Sequence, residues 1–335
     1  MATTFTNSKT YAGELARPYI ASAIKSSPTI GEGRVAVKEN VKFKEVLRKL
    51  DTGGLIQPAG CDFNADGVVE LSEVILQPTE LMTNVQLCKK DFRSDWEAIN
   101  TGRGFIGDQL PPEFQQYLLL HVASKIGEAM EDNIWRGGAW DSTGSTGNDL
   151  ATADADGADD GTDVGDSVTD TFDVNHFDGF LARIKGTKNA NVSGAMTTNN
   201  VLTYMETAID NLPTALQGDT EVKLYISPKT YHLYYRKLAE NGYHAGLSLN
   251  SPISQNYMGY GLHVCPGMSN DAVLASRPDN LFFGTDLLSD HNSAVFLDMT
   301  QLDGSDNVRI AYRFTGGTQV GVITDTSLAS RYATV

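Results

Sequence analysis

Residues 111–137 (PPEFQQYLLLHVASKIGEAMEDNIWRG) place an apolar side chain at every fourth position: Phe114, Leu118, Val122, Ile126, Met130 and Ile134. Tyr117, Leu119, Ala123 and Ala129 widen that stripe into the core-facing side of one α-helix, and Gln116, Lys125, Glu128 and Glu131 are expected to face water. Pro111 and Pro112 suit a first turn because they lack the amide protons that such a turn leaves unpaired. Glu113 meets the positive end of the helix dipole, and Arg136 with Gly137-Gly138 closes the element. At 1.5 Å per residue this helix is about 40 Å long, roughly the diameter of a compact domain of this size. It must span its domain, and the rest of the chain has to be arranged around it.

The rest is mostly strand-like. Residues 1–33 form an arm, with an apolar patch at 15–24 broken by Pro18 and Pro28 and a flexible Gly31-Glu32-Gly33 end, and little core of its own is expected there. From Arg34 the pattern alternates as a strand does (Val35, Val37, Val41, Phe43), and a second strand-like stretch at 68–87 returns after the turn-rich 53–67 region. These two stretches predict an extended hairpin. An isolated hairpin is marginal in water, so one this long needs another surface to lie against. Residues 88–100 read as a short helix with Phe92 and Trp96 four apart. Residues 141–178 hold 11 Asp and no Lys or Arg, which predicts an exposed loop unable to bury enough apolar surface to order itself. An α/β region follows: helix 198–212, strand 221–227, helix 228–241 and strand 260–265. Three strands close the chain at 293–299, 307–314 and 319–324, with turn signals at Asp303-Gly304 and Gly316-Gly317.

Composition excludes several functions. A net charge of −16 argues against a nucleic-acid-binding face, which needs clustered Lys and Arg; the basic stretches 42–49 and Lys89-Lys90 are interleaved with acidic or apolar residues and read as solvated faces. Cys61, Cys88 and Cys265 are odd in number and form no CxxC, so reduced structural thiols are expected. Residues 1–13 lack the apolar stretch of a signal peptide, and no apolar run is long enough for a membrane span.

The motif matches are weak in context. Asp62-Phe63-Asn64-Ala65-Asp66-Gly67 with Glu73 in twelfth place fits a calcium loop, but Gly53-Gly54 and Pro58 precede it where an entering helix is required, so a hairpin turn is the simpler reading. The acidic run Asp154 to Asp160 could gather cations but reads as part of the exposed loop. Gly102-Arg103-Gly104 to Gly107 lacks the preceding strand of a dinucleotide site, and Ser22 to Lys25 lacks the partner motifs of an acylating enzyme. His121, His176, His232, His244, His263 and His291 are scattered. No catalytic, cofactor or metal residues are assigned, and an enzyme is not expected.

Taken in order, the arm, the hairpin, the run from Leu76 to Trp96, the long helix ending Asn133-Ile134-Trp135-Arg136-Gly137-Gly138, the α/β region, Asn280 to Asp286 and Ala311 to Phe314 resemble the major capsid protein of tailed bacteriophages, a fold shared with encapsulins. The resemblance implies an α+β chain with an N-terminal arm (1–33), an extended hairpin loop (34–88) and a peripheral domain (89–140 and 280–315) built on the spine helix 111–137. The acidic loop is 141–177, and an α/β axial domain comprises 178–279 and 316–335. It implies a structural subunit that self-assembles as hexamers and pentamers into an icosahedral shell around double-stranded DNA, made in the host bacterial cytoplasm and residing in the virion. The implied partners are a separate scaffold, portal and decoration proteins, with DNA contacted weakly and no membrane or cofactor involved. The residues expected to meet neighbouring copies are Val35, Val37, Val41, Phe43, Val69, Leu71, Val74, Trp96 and Trp135. An encapsulin-like compartment is the nearest alternative, and a calcium-stabilised surface or adhesin protein is the alternative from another class. Covalent cross-linking between subunits is not implied, because neither the lysine nor the asparagine aligns.

Overall fold

A computed structural model describes residues 8–12, 27–53, 68–88, 112–137, 177–240, 255–286, 293–299, 302 and 304–331. In chain order the elements are β1 (Ser8–Ala12), α1 (Pro28–Gly31), β2 (Ala36–Glu39), β3 (Glu45–Gly53), β4 (Val68–Leu76), β5 (Thr79–Cys88) and α2 (Pro112–Arg136). There follow α3 (Phe180–Lys188), β6 (Asn189–Asn191), α4 (Val201–Asp210), β7 (Lys223–Ile226), α5 (Pro228–Glu240), β8 (Asn256–Tyr257), β9 (Tyr260–Val264) and β10 (Ala272–Ser276). The chain closes with β11 (Leu281–Thr285), β12 (Ser293–Asp298), β13 (Asn307–Val320) and β14 (Ser327–Ser330).

The long helix forms as its periodicity dictates. Leu119, Val122, Ala123, Ile126, Met130 and Ile134 are buried, while Leu120, His121, Ser124, Lys125 and Glu128 are exposed. This stripe packs against a six-stranded sheet in the order β1-β12-β13-β11-β2, with β5 also pairing β13. The hydroxyl of Tyr312 on β13 donates to the Leu119 carbonyl at 2.8 Å, tying helix to sheet.

A second six-stranded sheet runs β6-β14-β10-β7-β9-β8. Its central strands are buried on both faces, and their period of two divides them between two cores. Tyr225, Ala272, Leu274 and Leu328 join the core around α2, whereas Leu224, Ile226, Val273, Ala275 and Ala329 join a second core under α4 and α5. The remaining sheet is the two-stranded ribbon β3-β4.

Four expectations change. First, the ribbon pairs Glu45 with Leu76 through Gly53 with Val68, so it covers less than residues 34–88: β2 runs parallel to β11, and all ten residues of β5, from Thr79 to Cys88, pair with β13. Second, Gly316-Gly317 is no turn. β13 continues through it because the neighbours leave no room for side chains: a Cβ on Gly316 would lie 3.0 Å from the Met130 Cε, and one on Gly317 would lie 2.9 Å from the Pro78 Cα. Third, the end of the arm is core: Ser27, Thr29 and Ile30 are buried. Fourth, Glu131 does not face water but is buried beneath that segment. Its carboxylate accepts from the Ser27 hydroxyl, the Thr29 amide (3.0 Å), the Thr29 hydroxyl (2.5 Å) and Trp135 Nε1 (3.2 Å), which makes it the buried acceptor that fixes arm to helix.

The expected helix at 88–100 with Trp96, the hairpin tip 54–67 and the acidic stretch 141–176 lie outside the described residues. Residues 68–73, on which the calcium-loop match ends, are strand β4.

Candidate assembly surface

Among the described residues, five of the exposed large apolar side chains lie on the ribbon β3-β4. In an antiparallel pair, residues directly opposite share a face. Val46 opposes Ile75, Arg48 opposes Glu73, Leu50 opposes Leu71, and Thr52 opposes Val69. On this outer face Leu50 is 63% exposed, Leu71 58%, Val69 60%, and Val46 and Ile75 are exposed too. Arg48 and Glu73 form an ion pair at 3.0 Å in the middle of the patch, neutralising it. The opposite face turns to the body: Leu47, Lys49 and Val74 are half-buried and Leu76 is fully buried.

The root of the ribbon is held firmly. A Cβ on Gly284 would lie 3.0 Å from Leu76 Cδ2, so that glycine lets the leucine dock on β11. Gln319 Nε2 donates to the Ile75 carbonyl at 2.7 Å, and Lys38 pairs with Glu45 at 3.1 Å.

The sequence-predicted contact residues divide. Phe43 is 82% exposed at the base of the ribbon; Val69 and Leu71 lie on its outer face, and Val37 is exposed on β2. Val74 sits on the inner face. Val35, Val41 and Trp135 are corrected: all three are buried in their own subunit, Trp135 through hydrogen bonds to Thr29 and Glu131 and ring contacts with Phe180 and Tyr225. Trp96 lies outside the described residues. Sequence reasoning did not single out Val46, Leu50 and Ile75, which share this exposed face; around Val46 the alternating charges of residues 42–49 made a solvated face the natural reading. The period of two in Val46, Arg48, Leu50 was the signal that could have found them.

A further apolar surface is a groove of about 590 Å³ between β5 and α2, lined by Leu81, Val85, Val122, Ile126, Met130 and Phe314 among others. Met82 on β5 is exposed.

Several titratable residues of the described interior are packed around the Arg34 side chain. Arg34 donates to the Val264 carbonyl, and Tyr225 donates to the Arg34 carbonyl at 2.7 Å. Burial pushes the Cys265 thiol up to about 12. Burial, with help from Arg34 and Lys223, brings His263 down to about 4. A neutral thiol and a neutral imidazole of these affinities are poorly placed to exchange protons near neutrality. Among the described residues no group of three or more His, Cys, Asp or Glu is arranged to hold a metal ion, and no helix is long and apolar enough to cross a membrane.

No protein-family model matches the chain. No curated protein matches it either. Solved structures do. A chain of the satellite phage P4 procapsid that includes the size determination (Sid) protein superposes with a TM-score of 0.56 at 13% identity, over 95% of this chain and 99% of that one. The capsid of a native GTA particle gives 0.53 at 13% identity over 92% and 90%. The capsid of the Myoviridae phage XM1 gives 0.52 at 13% identity over 90% and 91%. Similarity over the whole length at such identity is similarity of fold. With its spine-like helix, two sheets and projecting ribbon, the chain has the α+β fold of the tailed-phage major capsid subunits.

Proposed function

We propose that this chain is a major capsid protein: a structural subunit, not an enzyme, that self-assembles as hexamers and pentamers into an icosahedral shell enclosing the double-stranded DNA of a tailed phage. The observation that carries the reading is the ribbon β3-β4, which presents Val46, Leu50, Val69, Leu71 and Ile75 exposed on one face among the described residues. The largest contiguous apolar patch of a monomer is typically about 300–600 Å² and often functional, and this face is of that order.

Magnitude favours many copies over a pair. A patch on the order of 400 Å² gains roughly 10 kcal/mol at ~25 cal/mol per Å², which only offsets an association cost of ~4–15 kcal/mol. One ribbon contact does not make a tight dimer, whereas the same contact repeated around closed rings does make a shell.

In this reading the ribbon is the extended loop draped on a neighbour, α2 with the sheet of β13 forms the peripheral domain, and the region of α4, α5 and β7 to β10 forms the axial domain. The net charge of −16 suits a wall that touches packaged DNA weakly. Scaffold, portal and decoration proteins are separate chains, and assembly takes place in the host cytoplasm. An encapsulin-like compartment would use the same contacts around protein cargo. Electron microscopy of the purified chain tests the proposal. Closed particles are expected, and a species that stays monomeric under all assembly conditions would refute it.

A further inference from the structure

The ribbon's outer face and its attachment to the body follow different physical rules. At the root, packing dominates: Leu76 is fully buried against Gly284, and Gln319 grips the Ile75 backbone. A few residues outward, packing gives way to a cleft of about 620 Å³ between the ribbon and the body, whose walls include Leu47, Lys49, Ser72, Phe282, Leu216 and Asp325. Across it, Lys49 Nζ on β3 lies 3.6 Å from Asp325 Oδ2 on the 3₁₀ turn Ile323–Asp325. Both side chains are about one-third exposed.

The foot of this ion pair is rigid. Asn280 accepts from the Val322 amide at 2.7 Å and donates to the Val322 carbonyl at 2.9 Å, clamping the turn to the start of β11. The Lys49 end belongs to the nine-pair ribbon, whose residues outward of Leu76 are at most half-buried among the described residues. An element fixed at one end by burial, and joined to the body farther out by a partly exposed charge pair across a cleft, has the geometry of a lever with a strut.

We propose that the Lys49–Asp325 pair is such a strut: it sets the angle between the ribbon and the body, and its loss lets the ribbon swing about a hinge at Leu76. The hinge is a property of the single chain and goes beyond the shell reading, so it is measured below the concentration at which particles form. A partly exposed pair weakens as salt rises, so the ribbon angle responds to ionic strength.

The test places nitroxide labels at Ser72→Cys on the ribbon and Ala215→Cys on the body, both exposed positions beside the cleft, with Cys61 and Cys88 replaced by serine. Cys265 is fully buried and stays unlabelled. Pulsed electron resonance then reads the distance between the labels. At low salt the wild-type pair gives one narrow distribution. At about 0.5 M salt, where the screening length falls to a few Å, the distribution broadens toward longer distances. Asp325→Asn broadens it at low salt as well. Lys49→Asp combined with Asp325→Lys restores the narrow distribution, which separates a charge strut from a general loss of packing. An unchanged distribution in Asp325→Asn, or a swapped pair as broad as the single variant, would overturn the proposal.

Discussion

Replacing Leu50 and Leu71 by threonine probes the outer face without disturbing the subunit that carries it. The two face one another across the ribbon and are 63% and 58% exposed. Fully burying a leucine gains ~1.5–3 kcal/mol, and somewhat over half of each side chain remains to be buried by a neighbour. The pair therefore contributes roughly 2 kcal/mol per copy to assembly. Threonine keeps the strand preference of a β-branched residue and changes little inside the subunit, where exposed substitutions usually stay within about 0.5 kcal/mol. At 1.4 kcal/mol per factor of ten, the critical concentration for particle formation should rise about 30-fold. Sedimentation of a concentration series measures it, with thermal melting of the unassembled chain alongside. A critical concentration within about threefold of wild type would refute the reasoning. So would a fall in subunit stability as large as the loss of assembly, because the leucines would then be serving their own chain.

Glu131→Ala should destabilise the isolated subunit by about 3–5 kcal/mol, since it strands the Ser27 hydroxyl and both the amide and hydroxyl of Thr29 in the core; urea unfolding measures this, and a loss under about 1 kcal/mol would show that the arm does not depend on the carboxylate. His263 lies 5.3 Å from the Tyr225 ring, and burial, Arg34 and Lys223 hold it down to about 4, so the folded protein takes up this proton later than the unfolded chain, which does so near about 6.5. Its contribution is complete above that upper value and is lost as pH falls through the window toward the lower one. Urea midpoints at about pH 7 and about pH 4.5 should draw together in His263→Gln relative to wild type, and an unchanged difference would show that the imidazole is not responsible.

Local periodicity made much of the fold legible. The four-residue recurrence from Val122 to Ile134 required α2, and the alternation of residues 307–314 required a strand. Failures arose where a residue answers to something distant in the chain. Gly316-Gly317 matches a turn in any local reading, and only the approach of Met130 and Pro78 explains glycine inside a continuous strand. Glu131 looks solvent-facing on a helical wheel, because its partners Ser27 and Thr29 lie about a hundred residues earlier. Trp135 resembled an interface aromatic for the same reason: its indole N–H is satisfied by Thr29 inside the subunit. On the ribbon, the charges flanking Val46 and Leu50 concealed an apolar face that becomes visible once strand register shows which residues stand together.

The idea that the ribbon is completed by sister copies is tested most directly by a reconstruction, at side-chain resolution, of the particle this chain forms. It should show Val46, Leu50, Leu71 and Ile75 of each subunit covered by a neighbouring copy. A particle in which that face meets only solvent in every subunit would contradict it.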